Sequence, residues 1–272
     1  MGVALRVALE QLGPRTILSI PACCAAVSVG GFPVSALRVP TLLTAFETTG
    51  ASLSGIRAAL DVRGESDVNV VGWAGDGGTY DIGIQALSGA AERNENVLYV
   101  CYDNEAYMNT GAQRSSATPS GAWTSTTPTG KPFEHHKKDF MAIVAAHGVP
   151  YAASASVAFP EDLAAKFVKA RDTDGFRFLL IQSPCPTGWR CESKDTVRVA
   201  RYGVTAGVFP VLEVEHGREW RISIEPTFEG LEDYLGLQGR FRGLDEATTA
   251  RIRQDIQRTW KDLRARCDMA RA

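Results

Sequence analysis

One aspartate flanked by glycines is the segment of this chain with the clearest capacity for chemistry. It follows the apolar run 70–73 and consists of Gly75, Asp76, Gly77 and Gly78. A second polar residue, Asn104, comes just after the strand-like run 97–102. Glycines permit a sharp turn and a close backbone approach, and a carboxylate and a carboxamide oxygen can hold Mg²⁺ between two loop ends. The pair therefore predicts a cation site that anchors a diphosphate.

The glycine segment alone has two other interpretations. A glycine-rich run after a strand is often a plain tight turn. A dinucleotide-binding loop would need the spacing Gly-x-Gly-x-x-Gly and a downstream acid for the ribose, and this turn lacks that pattern. Asn104, at the tip of the following strand, favours the metal site over both.

The elements that must position these residues alternate along the chain. We predict strands at 16–20, 68–73, 97–102, 176–182 and 208–214, and helices at 79–93, 138–147 and 160–172. Alternation of this kind indicates βαβ units, and so an α/β fold with a mostly parallel sheet flanked by helices on both faces. Ligands of such sheets bind at the carboxyl ends of the strands.

Two segments differ from this alternation. Residues 110–132 are rich in Ser, Thr, Gly and Pro, which predicts a long loop. Because the loop follows the strand that carries Asn104, we expect an ordered cover over the site rather than a mobile linker. Residues 244–272 have apolar side chains at helical spacing among basic ones, which predicts a C-terminal helix that packs on its own domain or on a partner. We expect a single domain over 1–272.

Composition limits the classes of partner. The 272 residues are 44% hydrophobic and 22% charged, with a formal net charge of −2, so neither nucleic acid nor a membrane surface is an expected partner. No uncharged run reaches the roughly 20 apolar residues of a membrane span, and the start of the chain is a poor secretory signal. We therefore expect a cytoplasmic protein whose six cysteines are thiols or metal ligands.

Four motifs together resemble the thiamine diphosphate-binding subunit of the 2-oxoacid:ferredoxin oxidoreductases, most closely the beta chain of pyruvate:ferredoxin oxidoreductase, over nearly the whole chain. They are Gly-Asp-Gly-Gly-Thr-Tyr-Asp-Ile-Gly at 75–83, Tyr-Asp-Asn-Glu-Ala-Tyr-Met-Asn-Thr-Gly at 102–111, Gln-Arg-Ser-Ser-Ala-Thr-Pro at 113–119 and Ser-Pro-Cys-Pro-Thr-Gly-Trp at 183–189. The resemblance implies a thiamine diphosphate-binding fold. It also implies that Asp76, Asn104 and the backbone carbonyl of Ala106 hold Mg²⁺, and that Asn109 and Thr110 lie against the cofactor and substrate.

The activity that this resemblance implies is oxidative decarboxylation of pyruvate or a related 2-oxoacid to an acyl-CoA, with electron transfer to ferredoxin. The family supplies the glutamate that activates the cofactor from a different chain. We therefore expect activity only with partner subunits, of the alpha, gamma and delta types. Two alternatives stay open: a related complex acting on phenylglyoxylate or oxalate, and a redox-silent scaffold subunit. A thiamine-dependent non-redox enzyme would not require the motif around Cys185.

The family also carries a [4Fe-4S] cluster, which needs four cysteine thiolates, and here the sequence departs from the pattern. Cys24 and Cys185 match two ligand positions, but the Cys-x-x-Cys-Gly expected ahead of the helix at 3–12 is not in the sequence. Three explanations stay open: a truncated sequence, a cluster that is lost or completed by another chain, and replacement ligands at Cys23 or Cys191.

The other cysteines and the histidine pair have simpler interpretations. Cys101 lies in an apolar run and Cys267 on the apolar face of the last helix, so we expect both in the core. His135 and His136 are adjacent and would point in different directions at a helix start, which argues against a paired metal site. Trp189, close to Cys185, either shields a cluster or anchors a packed loop.

Overall fold

The structure, a computed structural model, describes residues 1–31, 33–127 and 136–270. The strands in these ranges are β1 Thr16–Pro21, β2 Thr41–Thr44, β3 Asn69–Gly75, β4 Val97–Asp103, β5 Tyr151–Ser156, β6 Phe176–Gln182, β7 Val211–Glu215 and β8 Glu219–Ile224. The α-helices are α1 Gly2–Leu12, α2 Cys24–Val29, α3 Thr49–Val62, α4 Ile84–Glu92, α5 Phe140–Ala145, α6 Pro160–Arg171, α7 Pro186–Trp189, α8 Thr196–Thr205, α9 Leu231–Gly236 and α10 Glu246–Met269.

The strands form one sheet in the order β2-β1-β3-β4-β6-β5-β7-β8. All pairings among β1 to β6 are parallel. β7 runs antiparallel to β5, and β8 runs antiparallel to β7. The mostly parallel sheet predicted from the sequence is therefore confirmed, with an antiparallel hairpin added at one edge.

Two cores, one on each face, cover the sheet. Successive side chains of β4 alternate between them: Tyr99 and Cys101 enter the first, whereas Leu98 and Val100 enter the second. Residues of α3, α4, α5 and α10 complete the first core, and residues of α1, α2 and α6 complete the second. This alternation is the period-2 pattern of a strand that is buried on both faces. It confirms helices on both faces and a core position for Cys101.

Several boundaries differ from the sequence predictions. The helix expected at 138–147 begins at Phe140, because the side chain of Asp139 accepts a hydrogen bond from the backbone N–H of Ala142 and caps the helix there. His136 therefore precedes the helix, and His135 lies outside the described residues. The strand expected at 208–214 begins only at Val211, directly after Pro210.

The C-terminal helix is present as α10 and packs on the first core. Trp260 is buried, and its indole N–H donates to the backbone carbonyl of Gly207 at 2.8 Å. Leu263 and Cys267 are buried beside it, as expected for the apolar face. Among the described residues, no helix combines the length and apolar character needed to cross a membrane. The assignment of 1–272 to a single domain stays a prediction.

Candidate metal and cofactor site

The predicted cation ligands meet at the carboxyl edge of the sheet. β3 and β4 are adjacent and parallel, with Gly75 paired to Tyr102. Asp76 follows the end of β3 and Asn104 follows the end of β4, so the register alone brings them together. Both side chains are buried, and the backbone N–H of Asn104 donates to Asp76 Oδ1 at 3.3 Å.

The chain leaves Asp76 through one π-helical turn, Gly77–Ile82, rather than through the regular helix expected from residue 79. Wide turns of this type often occur at functional sites. A Cβ atom on Gly77 would lie 2.5 Å from two carbons of the Tyr107 ring, so no larger residue fits without displacing that ring. The Tyr107 hydroxyl in turn donates to Asp81 Oδ2 at 3.0 Å. The π turn and the loop after β4 are thereby locked together.

Three oxygen-bearing groups converge between these two loops. The side-chain oxygen of Asn104 faces Asp76 Oδ1 and the backbone carbonyl of Ala106, and the atom at that position lies 2.9 Å from each of them. All of these partners are acceptors, so only an exchange of the amide atoms or a cation between the oxygens would satisfy them.

This geometry fits Mg²⁺. Two adjacent ligands of an octahedral ion with bonds of about 2.0–2.1 Å are separated by about 2.9 Å, and that is the separation between the Asn104 oxygen and each neighbour. A site with one carboxylate and two carbonyl groups also matches the preference of Mg²⁺ for few protein carboxylates, with the remaining positions left to phosphate and water. Asp76, Asn104 and Ala106 would hold the ion.

The electrostatic surroundings of Asp76 also favour a cation. Burial raises the pKa of Asp76 well above its usual value, and the nearby Asp103 carboxylate adds to the shift. Ser115 Oγ donates to Asp76 Oδ2 at 2.5 Å and leaves Oδ1 facing Asn104. The resemblance included Ser115 in a motif without assigning it a role, because a contact between residues 39 positions apart has no local sequence signal.

A cavity of about 400 Å³ opens beside the three oxygens. Gly75, Gly77 and Gly78 line it next to Asp76, while Asn109 and Thr110 are exposed at its rim. The cavity thus collects the residues that were assigned to the cofactor by resemblance. Met108 forms part of the wall, and its sulfur lies against Gly188, where an added Cβ would be 2.0 Å away.

The described part of the long loop packs on this site. Besides the Ser115 contact, the backbone N–H of Ser116 donates to Asp81 Oδ2 at 3.1 Å. The backbone N–H of Lys138, after the loop, donates to the Ser116 carbonyl at 2.9 Å and returns the chain to the same place. Residues 128–132 of the predicted cover lie outside the described residues.

Two cysteines lie at the same edge of the sheet. Cys24 begins α2 after β1, and Cys185 precedes α7 after β6. Burial raises the pKa of Cys24 to about 11, and the neighbouring Cys185 sulfur contributes to the shift. Burial lowers the pKa of the Met1 amino group, and the charges of the same two sulfurs act against that shift.

Two thiols do not fit a four-thiolate cluster. Across residues 1–31, 33–127 and 136–270, no three His, Cys, Asp or Glu side chains are arranged to hold a metal ion. Trp189, close to Cys185, is fully buried, and its indole N–H donates to the backbone carbonyl of Asn104 at 2.7 Å. This contact ties the segment that carries Cys185 to the loop at 104–106.

Comparison with known proteins identifies the family of the chain. Residues 28–181 match the family described as thiamine pyrophosphate enzyme, C-terminal TPP binding domain. The chain is 48% identical to the ketoisovalerate oxidoreductase subunit VorB of Pyrococcus abyssi, with 96% of this chain and 88% of that protein covered. It is 45% identical to the pyruvate synthase subunit PorB of Methanothermobacter thermautotrophicus, with 96% and 92% covered.

The fold is also similar to a solved structure, that of 2-oxoglutarate:ferredoxin oxidoreductase from Magnetococcus marinus with 2-oxoglutarate, coenzyme A and succinyl-CoA bound. The TM-score is 0.62 at 20% identity, with 92% of this chain and 87% of that chain covered. At this identity the likeness concerns the fold alone. The sequence matches are far stronger, and by them this chain belongs to the thiamine diphosphate-binding beta subunits of the 2-oxoacid:ferredoxin oxidoreductases.

Proposed function

We propose that this chain binds Mg²⁺ and thiamine diphosphate at the ends of β3 and β4. With partner subunits, it would catalyse the oxidative decarboxylation of a 2-oxoacid to an acyl-CoA and pass the electrons to ferredoxin. The observation that carries the proposal is the convergence of Asp76, Asn104 and the Ala106 carbonyl, with 2.9 Å between the Asn104 atom and its two neighbours. A cation between these oxygens, or an exchange of the Asn104 amide atoms, satisfies all three groups.

Each residue of the site has a defined task in this proposal. Asp76, Asn104 and Ala106 hold the ion, which in turn binds the diphosphate. Gly77 gives the diphosphate access to the backbone. Asn109 and Thr110, at the rim of the cavity, contact the cofactor and substrate. Thiamine diphosphate itself supplies the carbanion and the electron sink for loss of CO₂.

The acid that activates the cofactor comes from a partner subunit in this proposal. Among the described residues that line the cavity, Asp76 is the single acidic side chain. It is already committed to Ser115 and to the metal. A chain with this lining can anchor the cofactor but cannot supply the proton transfer, and so it requires its partners for activity.

The substrate is proposed as pyruvate or a related 2-oxoacid. The two relatives named above are described as acting on pyruvate and on ketoisovalerate, both 2-oxoacids with apolar side chains. The alternatives from the sequence, phenylglyoxylate and oxalate, differ from these in size and charge. Initial rates of ferredoxin reduction by the assembled complex, measured with each acid in turn, separate the candidates.

A redox-silent scaffold subunit is the second candidate function, and it is favoured because no three metal-ligating side chains among the described residues are arranged to hold a metal ion. Under the main proposal, Cys24 and Cys185 are ligands of a [4Fe-4S] cluster whose other ligands are not among the described residues. Electron paramagnetic resonance of the reduced complex counts its clusters. A count one lower than the main proposal requires would support the redox-silent subunit. We further propose a cytoplasmic location for the complex.

Isothermal titration of the assembled complex with thiamine diphosphate and Mg²⁺ tests the cofactor site. Asp76→Ala removes the one carboxylate ligand, and we expect binding to weaken by about a hundredfold or more. Asp67→Ala is the matched control, because Asp67 precedes β3 at the opposite end of the parallel strands and, among the described residues, makes only an exposed ion pair with Arg15. Unchanged binding in Asp76→Ala, or no binding by the wild-type complex, contradicts the proposal.

A further inference from the structure

Buried charges surround the loop at 104–106, which carries two of the proposed metal ligands, in an arrangement that no sequence motif indicates. Asn104 lies between two buried carboxylates, Asp103 and Glu105. Lys137 Nζ donates to Asp103 Oδ2 at 2.5 Å and to Glu105 Oε1 at 3.0 Å. Arg240 Nη2 donates to the other oxygen of Glu105 at 2.6 Å, and both of these side chains are almost completely buried. The two carboxylates are therefore matched by two cations from distant parts of the chain.

Glu105 has an unusual backbone conformation for its residue type. Its φ angle is +65°, in the left-handed region that favours glycine, and a non-glycine residue persists in this conformation only where its surroundings hold it there. Glu105 stands between Asn104 and Ala106, the two carbonyl donors of the proposed ion site. Across this reversal, the Asn104 side-chain oxygen lies 2.9 Å from both Asp76 Oδ1 and the backbone carbonyl oxygen of Ala106. Whatever holds Glu105 in this conformation therefore sets the geometry of the site.

Arg240 supports the same loop through a second path. Its guanidinium group stacks 3.8 Å from the centre of the Trp189 ring. The indole N–H of Trp189 donates to the backbone carbonyl of Asn104 at 2.7 Å. A third contact, from Arg240 Nε to Gln238 Oε1 at 2.8 Å, fixes the guanidinium plane. Arg240 thus contacts two groups that hold Asn104: the carboxylate of the next residue, Glu105, and the ring of Trp189, which donates to the Asn104 backbone carbonyl.

We propose that Arg240 is a positioning residue for the metal site. It acts through Glu105 and Trp189, which fix the backbone on both sides of the proposed ligands. It thereby holds the side-chain carbonyl of Asn104 and the backbone carbonyl of Ala106 at the spacing that the ion requires. The inference rests on the proposed function, because it assigns Arg240 to the same Mg²⁺ site. A purely structural role would also make Arg240 important for folding, since the loss of one partner leaves the other charge buried and unpaired. Metal affinity must therefore be measured apart from stability.

The test uses the assembled complex, freed of metal and supplied with thiamine diphosphate, with Mn²⁺ as the probe. The electron paramagnetic resonance signal of free Mn²⁺ gives the dissociation constant. We expect Arg240→Met to raise this constant about tenfold or more. The matched control is Lys166→Met, because Lys166 is an equally buried cation, paired with Asp162 at 2.8 Å, and it does not line the cavity. It should lower the melting temperature but leave the Mn²⁺ affinity within about twofold of wild type.

Two results overturn the inference: Arg240→Met that binds Mn²⁺ like the wild type, and Lys166→Met that weakens binding as much as Arg240→Met. A wild-type complex that binds no Mn²⁺ contradicts the proposed function as well as the inference. This outcome is distinguishable from the first two, in which the wild-type complex does bind Mn²⁺. If Arg240→Met does not assemble, Arg240→Lys keeps the charge but loses the flat group that stacks on Trp189. The expected weakening is then smaller and in the same direction, and unchanged affinity overturns the inference.

Discussion

The candidate metal site at Asp76 and Asn104 and the cysteine pair Cys24 and Cys185 lie at the same edge of the sheet, but the described residues supply a full set of protein ligands only for the first. Asp76 and Asn104 follow adjacent strands, so strand register brings them together. Cys24 and Cys185 follow β1 and β6, the strands on either side of β3 and β4, and no third metal-ligating side chain among the described residues joins them. A site built from neighbouring strand ends can be complete within one sheet, whereas a site at its flanks depends on what else is packed there.

Removing the cysteine pair tests whether the two regions are separate sites, and it has the largest expected effect. We expect the double variant Cys24→Ala, Cys185→Ala to lose iron from the assembled complex, because two ligands of the proposed cluster disappear together. Cys24 lines the cavity, but neither thiol is proposed as an ion ligand, so the affinity for thiamine diphosphate should remain within about threefold of wild type. Iron analysis and calorimetric titration of the same preparation measure both quantities. A parallel loss of cofactor binding would mean that the two regions are one site.

A single methyl group in the π turn tests how tightly the metal loop is packed. Gly77→Ala would place a carbon 2.5 Å from the Tyr107 ring, and we expect a loss of about 1–3 kcal/mol in stability from overpacking together with weaker cofactor binding. Gly55→Ala is the control, because Gly55 is exposed in α3 with open space around it. It should stabilise the helix by up to about 1 kcal/mol. Urea unfolding of the chain compares the two, and equal effects would contradict the prediction.

Ser115 provides the finest test of the difference between the regions. Ser115→Ala removes the 2.5 Å hydrogen bond to Asp76 Oδ2 but leaves all three proposed ligand residues in place. We expect the Mn²⁺ affinity to fall about tenfold. The iron content should not change, because Ser115 contacts the proposed Mg²⁺ ligand Asp76 and not the cysteine pair. Ser115→Thr retains the hydroxyl and should restore most of the affinity. A variant that binds Mn²⁺ normally would show that Asp76 needs no support from the loop.

The sequence predicted the elements that carry strong local patterns. β1, β3, β4 and β6 have apolar β-branched or aromatic runs and were found within two residues of their ends. β2 is four residues long, and β5 is built largely from alanine and serine, so neither has a clear strand signal. β8 alternates between exposed and partly buried residues, a pattern that was present in the sequence and was missed.

The candidate site divides in the same way. Asp76 and Asn104 could be predicted because each follows an apolar run, and parallel strands end together. Arg240 could not, since it contacts Glu105 across 135 positions and belongs to no motif. Lys137 has no sequence signal either, yet it pairs with two buried carboxylates. Partners of this kind are found only once the tertiary packing is known.

The contact between Met108 and Gly188 has a consequence for substrate size. Met108 lines the cavity, and its sulfur occupies the space that a side chain at position 188 would need. A larger residue at position 188 would push the thioether inwards and leave less room for the acid. Under the proposed function, the longest 2-oxoacid that the enzyme accepts would then depend on a glycine that touches no substrate and stands three positions after Cys185.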